Sequence, residues 1–215
     1  MDIQRGAKIA LIGESGSGKS TLLELLAMIL MPSSSDGFSF QPLPTEARSD
    51  IAELWRTKRI DELSGLRSRH IGYVLQFGGL LPYLSVRDNI ELPLQLLGLP
   101  LDDVANELAA RLGIAQQLDK RPATLSVGQR QRAAIARALA HRPPIVIADE
   151  PTAAIDPYHA ERIVTLLVEL AEGLGVTLIV ATHAQDLVKR VGFTMIEHSI
   201  QAVNDTAMTV RVANA

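Results

Sequence analysis

The sequence predicts an α/β fold, a parallel sheet flanked by helices with a helical insertion, and three observations lead there. Four short runs rich in Ile and Val, "KIALIG" (8–13), "HIGYVLQ" (70–76), "PIVIAD" (144–149) and "TLIVATH" (177–183), read as strands buried on both faces. Segments of helical period separate them, and that alternation builds a parallel sheet. From about 81 to 139 helical patterns succeed one another without a convincing strand. The expected organisation is a single domain over 1–215, with a core of about 1–80 and 140–215 and a helical subdomain of about 81–139.

In chain order, "KSTLLELLAMIL" (19–30) comes after the first strand as a helix. The stretch 32–50, rich in Pro, Ser and Asp, reads as loop with one short strand. Trp55, the lone tryptophan, lies in "IAELWRTKRIDELSGLR" (51–67) and is expected to anchor the core, with no chemistry assigned. "LDDVANELAARLG" and "GQRQRAAIARALA" supply the helices of the insertion. In "AERIVTLLVELAEGLG" the apolar Ile163, Leu166, Leu167 and Leu170 recur at three- and four-residue spacing, the stripe of a core-facing helix. The last stretch, "FTMIEHSIQAVNDTAMTVRVA", reads as a hairpin turning at Asn204 and Asp205. No internal repeat is present.

Composition removes several function classes. At 215 residues and 47% hydrophobic content the chain can bury a sizeable core. A net charge of −3 argues against binding nucleic acid by bulk phosphate neutralisation, and no nucleic-acid partner is expected. With no cysteine, a disulfide framework and thiolate metal sites are both excluded. The greasiest segment, "TLLELLAMILM" (21–31), carries Glu24 and stops at Pro32, short of the ~20 residues a spanning helix needs. The first residues lack the long apolar core of a signal peptide, so a cytosolic location is expected.

The chemistry starts at "GESGSGKST" (13–21), which matches G-x-x-x-x-G-K-[ST] between a strand and a helix. Its residues Gly13, Glu14, Ser15, Gly16, Ser17, Gly18, Lys19, Ser20 and Thr21 form a loop whose amides turn inward onto phosphate. Lys19 supplies charge for the β- and γ-phosphates, and the Ser20 hydroxyl suits Mg²⁺. The plain alternative is a flexible Gly/Ser turn. A P-loop NTPase (RecA-like) core is therefore expected. Asp149 ends the run "PIVIAD", where a Walker-B acid would hold Mg²⁺, and Glu150 comes next with a carboxylate free to orient or deprotonate water. Two acids in a solvated loop is the competing reading. His183 closes "TLIVATH" as a γ-phosphate sensor or a structural ring, and Gln76 closes "HIGYVLQ" as a metal or water contact or an ordinary strand-end amide.

"TLSVGQRQRAA" (124–134) poses a separate question. Ser126 stands three residues before Gln129, the spacing of a capping box, and the helix tip it starts is an anion site by dipole and free N–H groups. No acidic ligand is obvious in the neighbouring sequence.

Taken in order, "GESGSGKST", Gln76, "LSVGQRQR", "IVIADEPTAAID" and His183 resemble the ATP-binding-cassette (ABC) ATPase family, as its Walker A, Q-loop, signature, Walker B with D-loop, and switch histidine. The similarity runs from Ile9 to about Gly192. It implies ATP and Mg²⁺ as cofactors, with Ser20, Gln76 and Asp149 toward the metal and Glu150, His183 and Gln76 as the catalytic set. It also implies a head-to-tail dimer, homodimeric or with another ABC ATPase. There Ser126, Gly128 and Gln129 close over nucleotide held by the opposite subunit and Asp156 communicates between sites. The missing anion is then on another chain.

The resemblance further implies the ATP-hydrolysing subunit of a transporter, at the cytoplasmic face of the membrane and partnered by integral membrane permease subunits. "FGGLLPYLSVRDNIELPL" (77–94) is similar to the groove that receives a transmembrane coupling helix, through Leu80, Leu81, Tyr83 and Leu84. Those side chains anchoring their own loop is the alternative. The same stretch resembles, more weakly, the lipoprotein-release and macrolide-export branch. Val127 departs from the family's usual first signature glycine, and residues 37–69 make a longer link than usual. Only twelve residues precede Gly13, without the family's additional strands or adenine-stacking aromatic. The expectation is that the N-terminal antiparallel strands are reduced or missing, in a shortened relative or a chain that begins inside a longer subunit. A soluble ABC-type ATPase not coupled to transport and a non-catalytic nucleotide-binding module are the other functions considered.

Overall fold

The computed structural model describes the chain except residues 1, 15, 154, 156, 205, 206 and 215, and describes side-chain surroundings except also at 157–159 and 198–214. Strand β1 (Lys8–Ile12) leads into helix α1 (Lys19–Leu26). A two-stranded ribbon, β2 (Ser39–Phe40) and β3 (Ser49–Asp50), precedes helices α2 (Ile51–Arg56) and α3 (Ile60–His70) and strand β4 (Ile71–Val74). Helices α4 (Val86–Leu97), α5 (Val104–Arg111) and α6 (Val127–Leu139) come next, with two short 3₁₀ turns between α5 and α6. Then come β5 (Ile145–Asp149), α7 (Pro157–Leu174), β6 (Thr177–Ala181), α8 (Gln185–Arg190), β7 (Thr194–Asn204) and β8 (Ala207–Asn214).

The main sheet has the order β4-β5-β6-β1-β7-β8, parallel through β7, with β8 antiparallel at the edge. Period-two alternation divides each strand between two cores. Ala10, Ile12, Val146, Ala148, Leu178 and Val180 point to one face, which α4 to α8 cover. Ile9, Leu11, Ile147, Ile179 and Ala181 point to the other, which α1, α2 and α3 cover. Burial on both faces is why these strands are polar only at their ends, at Lys8, Asp149 and Thr177, and show no alternating solvent side.

The four Ile/Val runs and the periodic segment of α7 lie where the sequence places them, and Ile163, Leu167 and Leu170 are fully buried. Several boundaries differ. "HIGYVLQ" is strand only over Ile71–Val74: His70 closes α3, and Gln76 sits in a turn two residues past the strand. The first helix ends at Leu26, because Met28 adopts φ 58°, a left-handed conformation that a continuing helix excludes. Residues 32–50 hold two short strands where the sequence suggests one. Trp55 is half-buried against the second core, as an anchor should be, with its indole N–H buried and lacking a hydrogen-bond partner. The terminal hairpin forms, with Asn204 opposite Ala207; its expected turn residue Asp205 lies outside the described residues.

Candidate nucleotide site

Parallel register assembles the site. Ala148 pairs with Val74 on one side and Val180 on the other, while Leu11 pairs with Ala181. The carboxyl ends of β1, β4, β5 and β6 therefore stop at one level, and the segments leaving them meet at one sheet edge. Those segments carry the glycine loop, Gln76, Asp149 with Glu150, and Thr182 with His183.

The loop turns through left-handed Gly16 (φ 78°) and Gly18 (φ 84°), the latter capping α1. Lys19 is only 4% exposed and its ammonium donates to the carbonyls of Gly13 at 2.9 Å and Glu14 at 2.8 Å. The hydroxyl of Ser17 is buried without a partner among the described residues. Ser20 and Thr21 stay exposed at the helix start, Glu14 is exposed in the loop, and Ser15 lies outside the described residues.

Asp149 is buried and its Oδ1 has no hydrogen-bond partner among the described residues. Next to it, Glu150 takes φ 41°, a conformation costing a non-glycine residue on the order of 1 kcal/mol. Its amide donates to the carbonyl of Ala181 at 2.9 Å. His183 Nε2 donates to Glu150 Oε1 at 2.7 Å. Tyr73, in β4, has its phenol pushed up by burial and then by the charges of Asp149 and Glu24, which places it beside the acid.

Lone pairs at buried Asp149, the exposed Ser20 hydroxyl and the amide of half-buried Gln76 form an all-oxygen donor set, the kind Mg²⁺ takes beside phosphate oxygens. The orphaned Asp149 oxygen and Ser17 hydroxyl are buried polar atoms for which such a ligand is the missing partner. The residues present thus fit both a polyphosphate and its metal.

Away from this edge, Ser126 and Gln129 form the expected capping box at the start of α6: Gln129 N–H donates to Ser126 Oγ at 3.2 Å and Ser126 N–H to Gln129 Oε1 at 2.9 Å. Val127 is 42% exposed, and space around Gly128 is open. Asp156, expected in the D-loop, lies outside the described residues. A cavity of about 740 Å³ on the α1 side, floored by Ile147 and Ile179, includes none of the site residues.

Sequence reasoning missed the groups that brace Gln76 and the segment after it. Asn89 is fully buried in α4, accepting from the Leu81 amide at 2.7 Å and donating to the Leu81 and Ser85 carbonyls. From α6, Gln131 and Arg137 donate to carbonyls of residues 75, 78 and 79. The legible signal for α4 was Ser85 three residues before Asp88, a second capping box. Phe77, 74% exposed beside Gln76, carries no such signal in the sequence.

A glycine cradle with a buried lysine, an acid at a strand end and a second acid paired with histidine define a P-loop ATPase site. The comparisons with known proteins then give the family. The family model described as "ABC transporter" matches residues 1–153. The chain is 37% identical over 195 residues to the lipoprotein-releasing system ATP-binding protein LolD 1 of Rhodospirillum rubrum, covering 87% of this chain and 80% of that one. It is 42% identical over 190 residues to the macrolide export ATP-binding/permease protein MacB of Nitrosomonas europaea, covering 87% of this chain and 27% of that one. Among solved structures, a dimeric bacterial ABC transporter cassette superposes with a TM-score of 0.75 at 34% identity, over 92% of this chain and 83% of that one. A post-hydrolysis state of an ATP-binding cassette bound to ADP and Pi gives 0.73 at 34% identity, over the same shares. The chain belongs to the ABC transporter family, as an ATP-binding cassette that hydrolyses ATP to drive transport.

Proposed function

We propose that this cassette works as a Mg²⁺-dependent dimer, homodimeric or paired with another cassette, at the cytoplasmic face of separate membrane permease subunits. The relatives named for lipoprotein release and macrolide export favour that branch. The observation that carries the reading is the single sheet edge where Lys19, Gln76, Asp149, Glu150 and His183 converge, together with the exposed, capped start of α6.

In this reading Lys19 exchanges its two loop carbonyls for β- and γ-phosphate oxygens, and residues 13–21 supply amides around them. Ser20, Asp149 and Gln76 would hold Mg²⁺, which when bound neutralises charge developing on the phosphates. Glu150 takes the proton of the attacking water, and His183, withdrawn from Glu150, donates to the γ-phosphate. Ser126, Gly128 and Gln129 close over nucleotide held by the other protomer, with Asp156 relaying between sites. Loss of the γ-phosphate removes the bridge and loosens the pair. Residues 81–139 form the helical subdomain that carries the capping helix.

The surface after Gln76 divides its labour. Leu80 packs on the core, whereas Phe77 and Tyr83 (66% exposed) offer apolar area to a permease segment. Glu150→Gln with ATP and Mg²⁺ tests the dimer: size-exclusion chromatography with light scattering should show an ATP-dependent pair. A strictly monomeric ATP-bound variant, even with its membrane subunits present, overturns the proposal.

A further inference from the structure

Arg137 lies near the C-terminal end of α6, the helix whose opposite end is capped by Ser126. Its guanidinium donates through Nη1 to the Gly79 carbonyl at 2.8 Å and through Nη2 to the Gly78 carbonyl at 3.0 Å. No carboxylate pairs with it among the described residues. Burial lowers its pKa from the ordinary value, the mark of a charge drawn partly out of water for the sake of those two acceptors. Planar and forked, guanidinium can hold two successive carbonyls at once, which an ammonium cannot.

The acceptors are shaped for it. Gly78 and Gly79 both take left-handed conformations, φ 77° and 58°, which turns consecutive carbonyls toward α6. A Cβ at Gly79 would lie 2.4 Å from Leu75 Cδ1, and one at Gly78 would lie 3.4 Å from the Arg130 carbonyl. One turn and a half back along α6, Gln131, 2% exposed, donates to the Leu75 carbonyl at 3.4 Å. Gln76 is thus flanked on both sides by carbonyls that answer to one helix. The far end of the segment is held separately, by Asn89 through the Leu81 and Ser85 carbonyls.

We infer that Arg137 is a positioning residue for hydrolysis: by pinning the carbonyls of Gly78 and Gly79 it fixes Gln76 against the metal side of the site and ties that placement to the orientation of α6. The inference rests on the reading of Gln76 given under Proposed function. A shift of α6 on meeting the second protomer then reaches Gln76 directly within the same chain. The binding cradle at 13–21, on β1 and α1, is untouched by this link.

The test is a double-mutant cycle in the full chain with Arg137→Met, Gln76→Ala and the combination, reading kcat, the KM for ATP and the Mg²⁺ concentration for half-maximal hydrolysis. Arg137→Met should lower kcat about tenfold or more, since small misplacements of a reacting geometry cost that much. It should raise the Mg²⁺ requirement and leave the KM for ATP within about twofold, binding being set elsewhere. The combined variant should be no slower than Gln76→Ala, and Arg137→Lys should rescue only in part. If Arg137→Met loses its native circular dichroism, Arg137→Lys takes its place in the cycle. Multiplying effects in the double variant, or an unchanged kcat and Mg²⁺ requirement in the single one, overturn the inference. Wild-type hydrolysis that ignores Gln76→Ala overturns the reading beneath it instead.

Discussion

Glu150 and His183 hold each other at 2.7 Å across the ends of two neighbouring strands, so each occupies the hydrogen-bonding capacity the other needs for chemistry. In the proposed mechanism nucleotide binding separates them. Glu150→Gln keeps the shape and the left-handed backbone but removes the base, so hydrolysis should fall about a hundred- to ten-thousandfold while ATP affinity stays unchanged. Steady-state hydrolysis beside equilibrium binding of ATP checks the pair; full activity removes the role. Val127 is a second residue-scale case. Because it is exposed and Gly128 beside it has open space, Val127→Gly should cost the isolated chain less than about 1 kcal/mol in denaturant melts. Any change in turnover should then appear only in the assembled dimer, where a side chain at the helix start would meet the other protomer.

At the scale of elements, β4 and α6 meet closely at Gly72. A Cβ at Gly72 would lie 2.1 Å from the backbone oxygen of Ala138 and 3.1 Å from Val146 Cγ2. Backbone cannot yield as a side-chain tip can. Gly72→Ala should therefore lose at least about 2 kcal/mol of stability and depress hydrolysis with it, since the same helix braces Gln76. Urea unfolding measures the first and comparison with the Arg137 variants the second. Asn89 is the other joint. Deleting its amide strands the Leu81 amide, while the Leu81 and Ser85 carbonyls keep the N–H groups of Leu84 and Asn89, and Asn89→Ala should cost about 1–3 kcal/mol in the same assay.

For the whole molecule, acid stability should depend on His141, which sits between α6 and β5, away from the nucleotide edge. Burial, reinforced by the charge of His70, pushes its pKa down to about 4. The unfolded chain keeps the ordinary value near 6.5 and binds a proton that the folded chain refuses. Stability is thus full above about pH 6.5, falls as pH drops toward about 4, and stops falling from this cause below that; the whole effect is at most about 3 kcal/mol. The difference in unfolding free energy between wild type and His141→Leu should slope across this window and flatten outside it. Among the described residues no helix is long and apolar enough to cross a membrane. In the proposed reading the exposed Phe77 and Tyr83 meet the permease segment. Charged substitutions at both should abolish co-purification with permease subunits and leave basal hydrolysis in place.

Phosphate chemistry was legible in the chain because it is local: "GESGSGKST", the acids closing "PIVIAD" and the Ser126 to Gln129 spacing each complete themselves within a few residues. The buried strands were legible for a like reason, since two-sided burial writes itself as an unbroken Ile/Val run. Boundaries escaped where backbone conformation decides, as at Met28 and after Val74. Only the tertiary structure decided which strand ends share an edge, that Glu150 and His183 meet, and that Arg137, distant from Gln76 in sequence, grips the loop that carries it. Those contacts depend on register and on the packing of one helix over the sheet, and no window of sequence contains both partners.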